Sequence, residues 1–457
     1  MIYILLISLM ILFYLSYLFS GKDLLAPATI QIISFTGAVF FCIYFMISVG
    51  EFYTFHWETI GLISATMAIS AVIGICIHTV FNKVEVKEYV QENVAISPIS
   101  PFANIIVILF MLITIFGLLM EIRRIGGSSG TISQAIAEFR RITSFSPDAG
   151  NRLPFLLSQM MVVTKVLFLL YGFNLIYFFH NLSCGMKLSN TLILCLICLC
   201  LLLQGNRGDL INQVISCFMV FHLIRIRKYG TFKPYDIKAF VRLISVFVVI
   251  LGVFYVSKAF IGRTSQNEEL NIANYTAFYC GNGLIELDRY LQKPLSPSNI
   301  WGKETFYGLN LFLSKFDGLG REIYSIHLEF RPLIAGYFSN TYTFLRSYHH
   351  DFGMVGVFVL HSISILCLSM FYEFVKKRRG YAGILIFSSM YYTIVMSFFA
   401  ERFFSNLVTV SFAKQLILLM ILYEVMLRKR FRFTFNHSMV RFAKAKTSIS
   451  FAWKRGS

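Results

Sequence analysis

Long apolar runs, separated by short polar or basic stretches, cover most of the chain. A helix that crosses the hydrocarbon core of a bilayer needs about 17–25 apolar residues. About eleven runs meet that length: residues 2–19, 28–49, 60–81, 103–120, 155–179, 188–203, 210–224, 243–260, 354–374, 381–399 and 407–427. The pattern predicts an all-α polytopic membrane protein. The sixth and seventh runs are short, and the charged break Gln204-Gly205-Asn206-Arg207-Gly208-Asp209 stands between them. Two connections are long, 121–154 and 261–353. The second lies between the eighth and ninth spans and is too rich in aromatic and apolar residues for a disordered linker; it predicts a small folded layer against the membrane. The chain thus divides into spans one to eight over 1–260, the loop layer 261–353, spans nine to eleven over 354–427 and a basic tail 428–457. No internal repeat is visible, which argues against a transporter assembled from duplicated halves.

Composition supports this class. Hydrophobic residues make up 57% of the 457-residue chain and charged residues only 14%, with a mean hydropathy of +0.68, whereas soluble chains are about one quarter charged. The first apolar run leads straight into Gly21-Lys22-Asp23 with no small-residue cleavage pattern, so no signal peptide is expected. Cys42, Cys76, Cys195, Cys198, Cys200, Cys217 and Cys367 fall inside apolar runs as small hydrophobes, and Cys184 and Cys280 lie far apart. No disulfide framework or paired Cys-x-x-Cys metal site is expected.

Charge orients the spans. The net charge is +18, and the short loops Arg225-Ile226-Arg227-Lys228 with Lys233 and Lys238, Lys376-Lys377-Arg378-Arg379, and the tail from Arg428-Lys429-Arg430 concentrate Lys and Arg. Such loops stay cytoplasmic and touch anionic lipid. Counting back places the N-terminus and both long connections outside. The early connection nonetheless carries Arg123, Arg124, Arg140, Arg141 and Arg152 and no lysine. Arg207, Arg263, Arg346 and Arg402 fall on the same side. Lysine suffices for a solvated loop, whereas a guanidinium offers a planar fork that suits phosphate. The distribution points to an anionic, phosphate-bearing substrate on the outer face.

The turn Gly205-Asn206-Arg207-Gly208-Asp209 is similar to the Gly-x-Arg break between adjacent spans of the oligosaccharide repeat-unit polymerases of bacterial surface polysaccharide synthesis, the Wzy group. The stretch Gly336-Tyr337-Phe338-Ser339-Asn340-Thr341-Tyr342-Thr343, followed by Tyr348-His349-His350-Asp351-Phe352-Gly353-Met354-Val355-Gly356, resembles that family's segment at the end of its large external loop. The resemblance covers most of the chain as layout and a few dozen residues as motif. It implies an inner-membrane glycosyltransferase that joins undecaprenyl-pyrophosphate-linked repeat units at the periplasmic face, in the synthesis of O-antigen (lipopolysaccharide) or a related surface polysaccharide. It also implies a chain-length regulator and a flippase as partners, besides membrane lipids. Pyrophosphate is then the leaving group, and arginines aimed at its developing charge favour the transition state. Arg207, with His349 or His350 as proton acceptor, would be catalytic, and Arg140, Arg141, Arg346 and Arg402 would bind the pyrophosphate. No cofactor or metal is expected, since no Asp-x-Asp pair suited to a nucleotide sugar is seen.

Each residue has a plainer reading. Arg207 terminates a span and snorkels, although its flanking glycines open close backbone access. Arg140 and Arg141 lie on an amphipathic stretch, 132–142, that suits a membrane surface. Arg346 and Arg402 sit near span ends, within reach of lipid phosphate. His349 and His350 are adjacent and expected to point apart. Asp351 is expected to cap the ninth helix. Lys165 and Lys414 stand inside apolar runs and need a polar partner there. The basic tail, with Arg441, Lys444, Lys446, Lys454 and Arg455, suits anionic lipid; with no module for it, nucleic-acid binding is not expected. Two further functions fit the pattern: an O-antigen ligase that moves glycan to a lipid A core, and a non-catalytic transporter of the same lipid-linked oligosaccharide. A transporter would line a path through the whole bilayer with charge; here the charges crowd one face.

Overall fold

The structure is a computed structural model, and it describes residues 1–83, 96–127, 130–145, 153–205, 207–229, 252, 271–296, 298–316, 328–378, 380–428, 431–436 and 439–444. Ten helices among the described residues are long and apolar enough to cross a membrane. The expected span at 243–260 lies, but for residue 252, outside the described residues. The chain is an all-α polytopic membrane protein, its only strands being two small hairpins among the described residues.

In chain order the helices are α1 Ile2–Phe19, α2 Pro27–Val49, α3 Trp57–Lys83, α4 Pro101–Gly126, α5 Ile132–Phe145, α6 Phe155–Phe178, α7 Cys184–Leu203 and α8 Arg207–Tyr229. They continue with α9 Ile272–Gln292, α10 Tyr307–Leu313, α11 Phe344–Lys377, α12 Tyr381–Val395 and α13 Val410–Leu422. The hairpin β1 Arg331–Pro332 with β2 Phe338–Ser339 precedes α11, and β3 Phe431–Asn436 with β4 Met439–Lys444 lies in the tail. Local chemistry sets the ends. Pro27 opens α2 and Pro101 opens α4, where the Ser100 hydroxyl takes the Ala103 N–H. Ser183, Asn271 and Thr409 cap α7, α9 and α13 in the same way. The sixth and seventh spans prove longer than their apolar runs, because α7 begins at Cys184 and α8 reaches from Arg207 to Tyr229. Within α11 the chain breaks at Gly353, with φ 64° and ψ −165°, a backbone that residues with a Cβ rarely adopt.

The buried side chains form two packed bodies. One unites α4, α6, α7, α8, α12 and α13 with the second half of α11. The other unites α1, α2, α3 and α9 with the first half of α11. Polar contacts sort the loops to two ends. At one end Asp23 meets Tyr372 at 2.6 Å and Lys376 at 3.3 Å, and His78 meets Glu373 at 3.0 Å. There Arg227 donates to the Gly380 carbonyl at 2.9 Å, and the Ser97 N–H to the Leu427 carbonyl at 2.9 Å. At the other end Tyr53 and His56 meet Asp288 at 2.7 and 2.8 Å, and Arg207 meets Tyr275 at 2.9 Å. Arg227, Lys376 and Lys377 of the basic loops gather at the first end. Helix α5 and the described parts of 271–353 belong to the second, as does the turn at Arg207, where the two bodies meet.

Candidate functional site

The site is built on the turn between α7 and α8. Helix α7 ends at Leu203, and Gly205 takes φ +70° while its N–H reaches the Leu202 carbonyl at 2.9 Å. A Cβ at Gly205 would stand 3.0 Å from Cδ and 3.2 Å from Cβ of Arg140, so glycine there serves both the turn and the passage of that arginine. Arg140 is brought in by α5, whose Ala135, Ile136 and Phe139 are buried and seat it on α4. Arg207 opens α8. Its Nη2 donates to the Tyr275 hydroxyl at 2.9 Å, and its guanidinium stands 5.8 and 5.9 Å from the ring centres of Tyr275 and Tyr279. Tyr275 and Tyr279 are four residues apart on α9 and share a helix face. The first N–H groups of α8 and its positive dipole end lie at the same point, an arrangement that suits an anion.

On the neighbouring side of the turn, Lys165 of α6 pairs with Asp209 in the first turn of α8 at 2.7 Å. Arg402 and Tyr392 lie close enough to act on the Lys165 charge, and Asn406 donates to the Tyr392 hydroxyl at 3.3 Å. Arg402 belongs to the stretch between α12 and a π-helical turn, Phe403–Leu407. It also lines a narrow cleft between the two bodies with Gln31, Tyr348, Ser364, Ser397 and Glu401. The Glu401 carboxylate takes the N–H groups of Phe404 and Ser405 at 2.7 and 2.9 Å and so caps that turn. Burial pushes its carboxyl pKa up against those hydrogen bonds.

Of the expected site residues, Arg140, Arg207 and Arg402 come together here, with Lys165 and Asp209. Arg141 does not. It projects outward and pairs with Glu138, its side chain 67% exposed. Arg346 does not either. It is fully buried between Glu304 and Glu329 and packed over Tyr342 and Tyr290, at 4.5 and 4.9 Å from the ring centres. His349 and His350 stand beside that arginine rather than beside Arg207. Their sequence adjacency predicts divergence, yet Nδ1 of each lies 3.5 Å from the single hydroxyl of Tyr290. Asp351 does not cap a helix: its carboxylate takes the N–H groups of Glu304 and Thr305 at 3.0 and 2.7 Å and fastens the loop before α10.

Helix α9 is the spacer between these two clusters. Tyr275 contacts Arg207 and Tyr290 contacts the histidines, and fifteen residues of helix at 1.5 Å each span about 22 Å. His349 and His350 therefore stand about four turns of α9 along from the tyrosine that holds Arg207. Sequence reasoning left Asp209, Tyr275, Tyr279 and Tyr392 without a role. For Asp209 the signal was present, two residues past Arg207 and opposite an intramembrane lysine that needed a carboxylate.

Between the clusters, α9 buries Glu286 completely. Neither of its oxygens takes a hydrogen bond of normal geometry, and the nearby Tyr342 hydroxyl donates to the Glu329 carbonyl at 3.2 Å instead. Burial pushes the Glu286 pKa up from an ordinary 4.5 to about 9, against the opposing pull of Tyr342, Arg289 and Arg331. The folded state thus holds a proton that the unfolded chain releases above about pH 4.5, and its stability falls as pH rises from there toward 9. Glu286→Gln removes this dependence. The thermal stability of the variant should gain on that of the parent from pH 5 to pH 8, on the order of 1 kcal/mol per pH unit. A constant difference across that range would show Glu286 ionised in the fold.

Among the described residues no three His, Cys, Asp or Glu side chains gather as a metal-ligand group. Comparison of the chain with models of known families, with curated proteins and with solved structures finds no match.

Proposed function

We infer that the chain is a membrane glycosyltransferase that extends undecaprenyl-pyrophosphate-linked oligosaccharides, a repeat-unit polymerase acting at the Arg207 end of the bundle. The observation that carries this reading is the Arg207 guanidinium, held by Tyr275 at the N-terminus of α8 with Arg140 passing across Gly205. Two guanidinium groups and a helix N-terminus form a receptor for a diphosphate. A diphosphate that leaves from a sugar gains charge as the glycosidic bond breaks, so donors fixed in advance favour the transition state over the ground state. Arg402 adds cationic charge near the Lys165–Asp209 pair beside it. Arg227, Lys376 and Lys377 lie at the opposite end, and the bias of short basic loops toward the cytoplasm makes the Arg207 end periplasmic in an inner membrane.

The test supplies purified protein with lipid-linked repeat units in the presence of EDTA. Glycan ladders should lengthen on the carrier, because guanidinium groups neutralise the leaving diphosphate. Transfer to lipid A core without lengthening would identify a ligase instead. Extension that stops with EDTA and returns with magnesium would overturn the metal-free reading.

A further inference from the structure

Resting on the polymerase reading, we propose that Asp209 is the catalytic base: its carboxylate takes the proton of the attacking sugar hydroxyl, with Lys165 as the residue that positions it. The histidines by which sequence reasoning filled this role lie about four turns of α9 from Arg207. Asp209 is in the first turn of α8, whose N-terminus receives the diphosphate. Residues two apart on a helix point to different sides of it. Accordingly Arg207 reaches α9 through Tyr275, while Asp209 reaches α6 through Lys165.

That divergence is what a displacement at the anomeric carbon requires. The leaving oxygen and the attacking oxygen stand on opposite faces of the carbon, so the base belongs across the helix end from the guanidinium clamp rather than beside it. The acceptor oxygen bonds to the anomeric carbon and the bond from that carbon to the diphosphate oxygen breaks. The electron pair leaves on the lipid diphosphate at Arg207, and the hydroxyl proton passes to the Asp209 carboxylate. One displacement inverts the anomeric configuration. Lys165 holds Oδ2 of Asp209 at 2.7 Å and leaves Oδ1 for the hydroxyl. The side chains of the pair are 29% and 21% exposed for Lys165 and Asp209, so the carboxylate is not sealed by protein.

Asp209 also neutralises Lys165 near the membrane, and a single Asp209→Asn would leave a lysine unpaired there and endanger the fold. The decisive variant is therefore the charge-balanced double, Asp209→Asn with Lys165→Gln. If Asp209 is the base, this protein folds and binds lipid-linked repeat units within a few-fold of the parent, while turnover falls about 10²–10⁴-fold. Asp209→Glu should keep part of the activity. Lys165→Gln alone should lower kcat with little change in KM, because the carboxylate is still present but no longer held in place, whereas Lys165→Arg should restore most of kcat. The new linkage, read by NMR, should be inverted relative to the donor. A double variant that extends glycan at the parental rate, or a product with retained configuration, overturns the assignment. If the unaltered protein extends nothing, the polymerase reading itself falls; if it extends and the double variant does too, only the role of Asp209 falls.

Discussion

Arg207→Ala should abolish glycan extension while leaving protein level and membrane insertion intact. Removing one preorganised oxyanion donor from a water-poor site typically costs about 10²–10³ in rate. Arg207 combines three such contributions, since it carries the charge, presents a planar fork and is pre-aimed by its bond to Tyr275 and by the Tyr275 and Tyr279 rings. Arg207→Lys should restore little. An ammonium is a point charge that cannot donate to Tyr275 and grip two phosphate oxygens in the same plane. Tyr275→Phe should give an intermediate loss, because the guanidinium keeps its charge and ring contact but loses its anchor. The measurement is the glycan ladder on the lipid carrier, normalised to the amount of folded protein. Ladders of normal length and yield from Arg207→Ala would remove this turn from the reaction.

Much of the fold was legible because a bilayer leaves few choices. Each apolar run must become a helix to satisfy its own backbone, and run length set the spans to within a few residues for α1, α2 and α6. The runs before and after Arg207 fell short for a physical reason. Hydropathy reports where hydrocarbon ends, whereas a helix continues as long as its hydrogen-bond ladder does, through Cys184 to Lys187 and Arg225 to Lys228. The break at Gly353 was readable as the start of the ninth span, but the helical turns before it were not. In the site, the turn at Arg207 stood out because flanking glycines and a charge interrupt two apolar runs. The separation of His349, His350 and Arg346 from it depends on how α9 lies along α2, with Phe278 against Phe45, which no local pattern encodes. Lys165 and Asp209 each required a partner, and only the packing of α6 on α8 names it. Arg140 and Arg141 look alike in sequence and part company because the apolar stripe of α5 turns one toward Gly205 and the other outward.

Arg346→Ala should destabilise the fold itself rather than the reaction alone. Sequence position makes this arginine a phosphate ligand near a span end, but its guanidinium is committed to Glu304 and Glu329 and shielded by Tyr290 and Tyr342. Breaking a buried ion pair by deleting one partner costs about 3–5 kcal/mol, because the remaining charge is left without compensation. Here two carboxylates lose their partner at once, although the Glu329 side chain is 26% exposed and recovers some hydration. Glu304 also sits in the loop that Asp351 fastens, so its release should loosen the segment before α10. The variant should show lower yield, earlier thermal unfolding and faster proteolysis in the segment 298–316. Replacing all three charged groups together, as Arg346→Met with Glu304→Gln and Glu329→Gln, should recover most of the stability, since a buried ion network is often no more stable than neutral groups of similar volume. Glycan extension by that triple variant is the discriminating measurement. If extension returns with the fold, Arg346 serves structure. If the triple variant is well folded and still makes no polymer, Arg346 acts on the substrate and the two clusters along α9 work as one site.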